Sequence, residues 1–479
     1  MRLLLPISLL LLGSYAYFYQ GGGWNQNSRL DLTRALVERG TLQIDAYADN
    51  TGDQAVFQGH TYSDKAPGQA LTAVPPVAIG MSFIRALGGD PSAIPSVTLL
   101  SYLATVWAAG VPTVVAALSL AWSARSLGAS ASGAAFAAVA YGLATPAWAY
   151  ATLLWGHSLA AGCLILAFAA ALGARDRPRA GILVGLATGW AVVSEYPAMP
   201  AALIIALLAR RAWRFVLLGA ALPVLVLAGY NWAAFGSPVR VGYESVQGFT
   251  GMRQGLLGIT TPRRTVLQEI LFGEFRGLLP LTPVLVLAPI GWLKLRSRPA
   301  ALAPAAIVIY YLLFNSSYFY WDGGFSYGPR HIGAALPFLA LGLAPLWTRR
   351  LKLLLIPLAA WGIVLAGMAV STTVLLPESV MAPVREIVWP AFARGDLALN
   401  HDLFVLRPDP AAAPSGVLDR GAWNVGMLLG LRGHASLLPL ALMWLLVGVV
   451  AWRMAEARAQ RPAPSKALRL PVARPPTLG

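Results

Sequence analysis

Runs of about 20 apolar residues recur along the whole chain, and this feature restricts the possible fold more than any other. Of the 479 residues, 57% are hydrophobic and 12% are charged. A soluble domain usually carries about 25% charged residues, so a soluble core of this size would leave too little polar surface facing water. The sequence therefore predicts an all-α integral membrane protein with about 12 transmembrane helices.

The apolar runs divide the chain into predicted segments. The predicted spans are residues 4–19, 97–121, 130–147, 157–174, 180–193, 198–209, 213–232, 278–293, 301–316, 331–347, 352–374 and 435–453. The first run lacks a small-x-small cleavage site and continues into aromatic residues, so we interpret it as a retained span. Four predicted regions follow: a transmembrane module at 1–375 with a first loop at 21–95, a polar segment at 376–434, the last span at 435–453, and a disordered basic tail at 454–479.

The net charge of +16 indicates orientation rather than nucleic-acid binding, because the basic residues form small clusters between apolar runs. The clusters at 175–179, 210–214, 294–298 and 349–352 all fit the cytoplasmic side together with both termini. This arrangement requires that the apolar stretch 70–88 is not a full span. We predict a juxtamembrane or re-entrant helix there, broken by Pro75 and Pro76. All acidic residues except Asp176 and Glu456 then lie outside.

The first loop contains a carboxylate that is a candidate for a general base. Asp64 is followed directly by Lys65 at the predicted membrane surface, after a predicted short amphipathic helix at 28–39. A carboxylate beside an ammonium group can combine a base with an anion-binding cation. The alternative for Asp64 and Lys65 is a surface ion pair worth about 0–1 kcal/mol.

A short outer loop at 318–331 contains three glycines, several aromatic residues and Arg330. The glycines permit backbone conformations that bulkier residues disfavour. Trp321 and Tyr327 offer flat surfaces for a sugar ring or prenyl chain, and Arg330 can bind a phosphate in a bidentate manner. The alternative is an ordinary aromatic turn at the membrane interface with a snorkelling arginine.

Further polar residues predicted near the outer face are His157, Glu195 and Tyr243, which we include as candidates for lining a substrate site. The five histidines have no metal-ligand spacing, so neither a metal site nor another cofactor is predicted. The chain has no phosphate-binding P-loop and no dinucleotide fingerprint. An outer-face transferase would therefore need a donor that has already crossed the membrane attached to lipid.

Three stretches resemble the membrane-embedded glycosyltransferases of the GT-C fold, in particular the bacterial relatives of protein O-mannosyltransferases and of the lipid A aminoarabinose transferase. These stretches are residues 34–40, residues 62–68 and residues 321–330. The second begins with Tyr62 and is similar to the family's Tyr-x-Glu-Lys-Pro-Pro stretch, with Asp64 and Lys65 at the Glu and Lys positions. The resemblance implies a polyprenyl-phosphate sugar donor whose phosphate is bound with the help of Lys65.

One departure from the family concerns the first outer loop, where the usual catalytic aspartate is replaced by amides, including Gln26 and Asn27. Either Asp64 takes over as base, or Asp31 does, or activity is lost, in that order of preference. The resulting interpretation is inverting sugar transfer to an envelope glycan, glycolipid or protein on the periplasmic face of a bacterial inner membrane. The alternatives are a flippase or transporter of a lipid-linked sugar, and a non-catalytic GT-C-like scaffold.

Overall fold

Helices form most of the architecture because a chain in lipid must satisfy its backbone hydrogen bonds internally. The structure is a computed structural model that describes residues 4–400 and 416–459. The first ten α-helices are α1 (Leu4–Ala16), α2 (Trp24–Arg34), α3 (Gly68–Ala86), α4 (Ile94–Thr105), α5 (Val111–Ser126), α6 (Ala131–Leu143), α7 (Ala147–Ala151), α8 (Gly156–Gly173), α9 (Ala180–Ser194) and α10 (Met199–Leu208). The later ones are α11 (Trp213–Phe235), α12 (Arg264–Phe272), α13 (Leu278–Leu281), α14 (Ala288–Trp292), α15 (Arg298–Ser317), α16 (Leu336–Leu341), α17 (Lys352–Ser371), α18 (Trp389–Arg394), α19 (Val425–Leu428) and α20 (Leu438–Ala459).

The apolar helices make the chain a multi-pass membrane protein. Within the described residues, six helical segments are long and apolar enough to cross a bilayer. They are Ile94–Ser126, Gly156–Gly173, Arg210–Phe235, Arg298–Ser317, Lys352–Ser371 and Gly433–Met454. The other six predicted spans coincide with apolar helices of 10–17 residues, which are shorter than the roughly 20 residues of a typical span. The count of twelve therefore stays a prediction, as do the boundaries of the four predicted regions.

Two short antiparallel sheets correct the all-α prediction. Strand β1 (Phe18–Gln20) pairs with β4 (Ala422–Asn424), and β2 (Gln54–Phe57) forms a hairpin with β3 (His60–Ser63). The predicted first span at 4–19 is too long, because its last residues leave the helix and pair as a strand with a segment about 400 residues away. Helix α20 continues to Ala459, and residues 460–479 of the predicted tail lie outside the described part of the chain.

The apolar stretch 70–88 forms one continuous helix, α3, so the prediction of a break at Pro75 and Pro76 is wrong. Each proline removes a helical hydrogen bond at a cost of about 3 kcal/mol. The helix buries Ala73, Val77 and Met81 against a cluster that includes Leu100 of α4. Burial of large side chains such as Val77 and Met81 contributes roughly 1.5–3 kcal/mol each, which opposes the cost of the prolines. α3 is not one of the six long apolar segments, in line with the prediction that it is not a full span.

Helix α9 is held close to α11 by small residues, and this packing positions the polar segment that follows α9. A Cβ atom on Gly185 would lie 1.9 Å from the carbonyl oxygen of Val216, and one on Gly219 would lie 2.0 Å from that of Ile182. Such close backbone approach between apolar helices requires small side chains. α9 ends at Ser194, and Glu195 follows in an extended conformation.

Candidate active site

A cavity of about 340 Å³ lies between the first loop, the ends of α8, α9 and α15, and the segments 243–259 and 330–334. Three cations line it, namely Arg29, Lys65 and Arg330. Three carboxylates also line it, namely Asp53, Asp64 and Glu195. The remaining wall is largely aromatic and apolar, so the cavity combines a charged region with a surface suited to an apolar or ring-shaped group.

The hairpin β2–β3 brings two carboxylates to the same lysine. Gln54 pairs with Ser63, so Asp53 and Asp64 stand opposite each other, one residue beyond the last pair. The Nζ atom of Lys65 lies 2.9 Å from Asp53 Oδ2 and 3.0 Å from Asp64 Oδ2. One ammonium group therefore bridges two buried carboxylates, and the three groups together carry one excess negative charge.

Asp64 has the chemical properties that a general base requires. Its side chain is 2% exposed, and burial is the main cause that raises its pKa to about 6. The negative charge of Asp53 raises this pKa further, whereas the positive charge of Lys65 lowers it. At neutral pH the carboxylate is therefore mainly ionised and still basic enough to accept a proton. Asp64 Oδ2 accepts the Lys65 hydrogen bond, whereas Oδ1 is buried and has no hydrogen-bond partner.

Arg330 is a cation without an anionic partner in the part of the chain that the structure describes. Its guanidinium lies 4.9 Å from the centre of the Trp155 ring and 6.0 Å from that of Tyr320. Over the described residues it makes no ion pair, and its Nε atom is buried without a hydrogen-bond partner. A buried donor without an acceptor is costly, so this side chain is suited to bind an anion from outside the chain.

Tyr318 lines the same cavity as Lys65 and Arg330. Burial raises the pKa of the Tyr318 hydroxyl to about 12. The positive charges of Lys65 and Arg330 lower this pKa, and the negative charges of Asp64 and Asp53 raise it. The four charged side chains line the cavity together with Tyr318, so they face one space.

A second ion pair closes the other side of the cavity. Arg29 Nη2 lies 2.8 Å from Glu195 Oε1, and the Arg29 Nε atom donates to Asn25 Oδ1 at 3.1 Å. The Nδ1 atom of His157 lies 3.8 Å from the same Glu195 oxygen. This pair joins the first loop to the end of α9, and the cavity wall therefore depends on residues 166 positions apart.

Six of the residues predicted from the sequence line this cavity. They are Asp64, Lys65, His157, Glu195, Tyr243 and Arg330. They come from five separate parts of the chain, and the fold brings them together in one cavity. The outer-face location of this cavity stays a prediction.

The other four predicted site residues do not line the cavity, and local packing explains their positions. Tyr62 lies 5.4 Å from the ring of Phe235, and Trp321 lies 6.1 Å from that of Phe275. Tyr327 is 1% exposed inside the helical core. Tyr62 and Tyr327 bury apolar surface within the protein rather than offering it to a ligand, and Trp321, which is partly exposed, packs against Phe275 outside the cavity.

Asp31 is the fourth of these residues, and its surroundings differ from those of Asp64. It is 1% exposed and its Oδ1 atom accepts a hydrogen bond from Asn50 at 2.9 Å, while Oδ2 has no partner. Burial raises the pKa of Asp31 to about 8, against smaller lowering effects of Asn50 and Arg34. The helix that carries it buries polar residues on most sides, so the predicted amphipathic pattern of 28–39 does not describe its packing.

The amide side chains that stand in place of the family's first-loop aspartate form hydrogen bonds with the backbone. Gln26 donates from Nε2 to the carbonyls of Gln20 and Gly22, and its Oε1 accepts from the Leu154 backbone N–H. Asn27 donates to the carbonyl of Asn50. Neither residue lines the cavity, so these side chains stabilise the loop instead.

The sequence-based prediction missed Asp53 and Arg29 as cavity residues. The sequence signal for Asp53 was Gly59, because glycine favours a tight turn; in the structure Gln58 and Gly59 form that turn with positive φ (51° and 82°). A hairpin closed by such a turn fixes the register and so places residue 53 opposite residue 64. No local signal indicates Arg29, because its partner Glu195 belongs to a distant helix end.

Metal binding has no support in the described parts of the chain, where no group of three or more His, Cys, Asp or Glu side chains is arranged to hold an ion. The absence of a metal or another cofactor from the reaction stays a prediction.

Comparison with solved structures identifies the architecture. The chain superposes on ArnT from Cupriavidus metallidurans, solved with bound undecaprenyl phosphate, with a TM-score of 0.53 and 18% sequence identity. The match covers 97% of this chain and 81% of ArnT, a GT-C lipid A aminoarabinose transferase. The protein has the GT-C fold. At this identity the likeness establishes the fold, and the resemblance seen in the sequence is confirmed at that level.

A weaker match is to the arabinofuranosyltransferase AftD from Mycobacteria, with a TM-score of 0.43 and 17% identity over 76% of this chain and 28% of AftD. A score this low does not establish a shared fold. No protein-family model matches the sequence, and no curated protein matches it. The chemistry of this GT-C protein must therefore be argued from its own cavity.

A prediction for Asp31 follows from its raised pKa. A carboxyl whose pKa is higher in the folded than in the unfolded chain reduces the free energy of unfolding as pH rises from about 4 to about 8. Asp31→Asn removes this effect, so it should stabilise the protein more at pH 8 than at pH 5, by on the order of 2–4 kcal/mol. Thermal unfolding of the purified protein at both pH values measures this. If Asp31→Asn instead unfolded more easily than the unchanged protein at pH 8, the ionised Asp31 carboxylate would be stabilising the fold, contrary to this prediction.

Proposed function

We propose that this protein transfers a sugar from a polyprenyl-phosphate-linked donor to an acceptor of the cell envelope on the periplasmic face. The observation that carries the proposal is the pairing, in one cavity of a GT-C fold, of an anion site at Arg330 with a buried carboxylate at Asp64. The bound undecaprenyl phosphate of ArnT supports a donor of this lipid-phosphate class. The acceptor is a hydroxyl group of a glycan, glycolipid or protein.

The donor phosphate would lie between Arg330 and Lys65. Arg330 presents a planar set of N–H donors that matches phosphate oxygens, and Lys65 adds an ammonium group. As the bond between the sugar C1 atom and the phosphate oxygen breaks, negative charge grows on the leaving phosphate. Cations already fixed in a partly dry cavity stabilise that charge without reorganising.

Asp64 would act as the general base. The acceptor hydroxyl oxygen attacks C1 of the sugar from the side opposite the phosphate, its proton passes to Asp64, and the polyprenyl phosphate leaves. This single displacement inverts the configuration at C1. The carboxylate is suited to the step because its pKa is raised to about 6 and its Oδ1 atom has no competing hydrogen bond.

The apolar part of the donor has a matching surface. Tyr310, Phe314 and Tyr318 follow each other at i, i+4 spacing on α15 and the turn after it, and their rings lie 6.1 and 5.6 Å apart in stacked orientation. All three line the cavity. This row of rings runs toward the charged region, so it supports binding of a prenyl chain or sugar ring beside the phosphate.

The proposed location rests on the basic clusters, and exposed positions allow it to be tested. In a Cys163→Ala background, single cysteines at His60 and Glu244 should react with an impermeant thiol reagent added outside intact cells. Cysteines at Asp176 and Thr348, which are also exposed, should react only after the membrane is opened. The reverse pattern would place the cavity in the cytoplasm and remove the reason for a lipid-linked donor.

The activity is tested by incubating the purified protein with membranes that contain lipid-linked sugars and following the donor by mass spectrometry. We expect loss of the intact donor, release of polyprenyl phosphate and a matching mass increase in an envelope acceptor. A flippase would move the donor between leaflets without consuming it, and a scaffold would do neither. Either result would contradict the proposal.

A further inference from the structure

The loop that precedes Arg330, residues 320–328, forms an unusual number of hydrogen bonds between its backbone and side chains of the protein. Six carbonyl groups between residues 320 and 328 accept hydrogen bonds from side chains. Two of these six, those of Asp322 and Gly324, bond to Arg276. Loops usually leave such groups to solvent, so this one is fixed from within.

Arg276 is 0% exposed, and its guanidinium reaches three separate segments. Nε donates to the Asp322 carbonyl at 3.1 Å, and Nη2 donates to the carbonyls of Gly324 at 2.6 Å and Leu376 at 3.2 Å. Nη1 donates to the carbonyl of the adjacent Phe275 at 3.2 Å. The side chain thus connects the segment before α13, the loop and the segment after α17.

The partners of Arg276 are carbonyls rather than carboxylates. Burial lowers the pKa of Arg276 to about 10, with a smaller raising effect of Asp322, so the guanidinium remains charged at neutral pH. No ion pair involves it among the residues that the structure describes. A buried charge with neutral partners is costly to retain, which argues for a specific purpose in this position.

The loop and Arg330 are in direct contact, so the position of one decides that of the other. Gly323 has φ +73°, and a Cβ atom there would lie 2.8 Å from Arg330 Cγ. Within the described residues the Arg330 side chain has no hydrogen bond to hold it, and it lies against Trp155, Tyr320 and the backbone of this glycine. Its orientation therefore depends on how the loop is fixed.

We infer that Arg276, which does not line the cavity, is a positioning residue for Arg330: it fixes the loop 320–330 so that the Arg330 guanidinium faces the donor phosphate. The inference rests on the proposed function, since it assigns Arg276 to the same anion site. Arg276 acts through the backbone of the loop and does not touch the donor.

The test is a double-mutant cycle on the binding of undecaprenyl phosphate to the purified full chain. Arg276→Lys keeps the charge but loses the planar fork that reaches three segments, so it should weaken binding about tenfold or more. In an Arg330→Ala background the same change should matter less than about twofold, because the group it positions is gone. Arg125→Lys is the matched control, since Arg125 also donates to a backbone carbonyl but lies at the end of α5.

Gly323→Ala provides a second route to the same result, in case the lysine variant does not fold. Its Cβ atom would displace Arg330, so binding should weaken in the unchanged protein and hardly change in the Arg330→Ala background. A loss of equal size in both backgrounds, for either variant, would overturn the inference, because it would indicate general damage. The inference would also be overturned if Arg276→Lys or Gly323→Ala bound undecaprenyl phosphate tightly while Arg330→Ala bound it weakly. Unchanged binding by Arg330→Ala would instead overturn the phosphate site on which the proposed function depends.

Discussion

The Asp64→Asn variant is expected to transfer sugar about 10²–10⁴ times more slowly than the unchanged protein. Asparagine keeps the size of the side chain but cannot accept the proton of the acceptor hydroxyl. Binding of undecaprenyl phosphate should change little, because Lys65 and Arg330 remain. Single-turnover rates with excess enzyme measure the chemical step separately from donor binding.

The dependence of the transfer rate on pH gives a second measurement of the same carboxylate. Since the base must be ionised, the rate should fall about tenfold for each pH unit below the Asp64 pKa of about 6. A midpoint near pH 8 would instead point to Asp31, whose pKa is raised to about 8.

Asp53 and Asp31 supply the matched controls. Asp31→Asn should leave transfer nearly unchanged, because Asp31 does not line the cavity. Asp53→Asn removes a negative charge that raises the Asp64 pKa, so the acidic fall in rate should move to lower pH. Normal transfer by Asp64→Asn beside an inactive Asp53→Asn protein would assign the base to Asp53. If all three variants stay active, none of these carboxylates is the base.

The Arg330→Ala variant is expected to lower kcat/KM by about 10²–10³, because the leaving phosphate loses a fixed cation. Both the rate of the transfer step and the affinity for the donor should decrease, since charge on the phosphate increases toward the transition state. Arg330→Lys should recover part of the loss, because lysine restores the charge without the planar pair of donors. Kinetics with varied donor concentration separate these contributions.

Lys65→Ala provides the contrast to Arg330→Ala. It should also weaken donor binding, but it leaves Asp53 and Asp64 buried together without their shared cation. Because the Lys65 charge lowers the Asp64 pKa, its loss should raise that pKa and move the acidic fall in rate to higher pH. Arg330 makes no ion pair with either carboxylate, so Arg330→Ala should not shift the profile to the same extent. Equal shifts in both variants would contradict this division of roles.

Local sequence patterns were sufficient for the general architecture and for six of the residues that line the cavity. All twelve predicted spans coincide with apolar helices, because hydropathy is summed over a single continuous stretch. Asp64 and Lys65 were also identified, since they are adjacent in the chain and belong to a recognisable motif. Arg330 was identified from its glycine-rich loop.

Pairings across the chain were not accessible in this way. β1 pairs with β4 across about 400 residues, and Arg29 meets Glu195 across 166 residues. No window of sequence contains both partners of either pair. The prolines of α3 illustrate the same limit, because only the surrounding helices provide the packing that keeps the helix continuous.

The sequence by itself determined that this protein is a helical membrane protein and which short motifs carry charge between its apolar runs. The tertiary structure decided which of those charges work together. Asp31 and Asp64 look alike as loop carboxylates, yet only Asp64 lines the cavity beside a cation. The physical reason is that a carboxylate's proton affinity depends on burial and on neighbouring charges, and those neighbours are brought together only by folding.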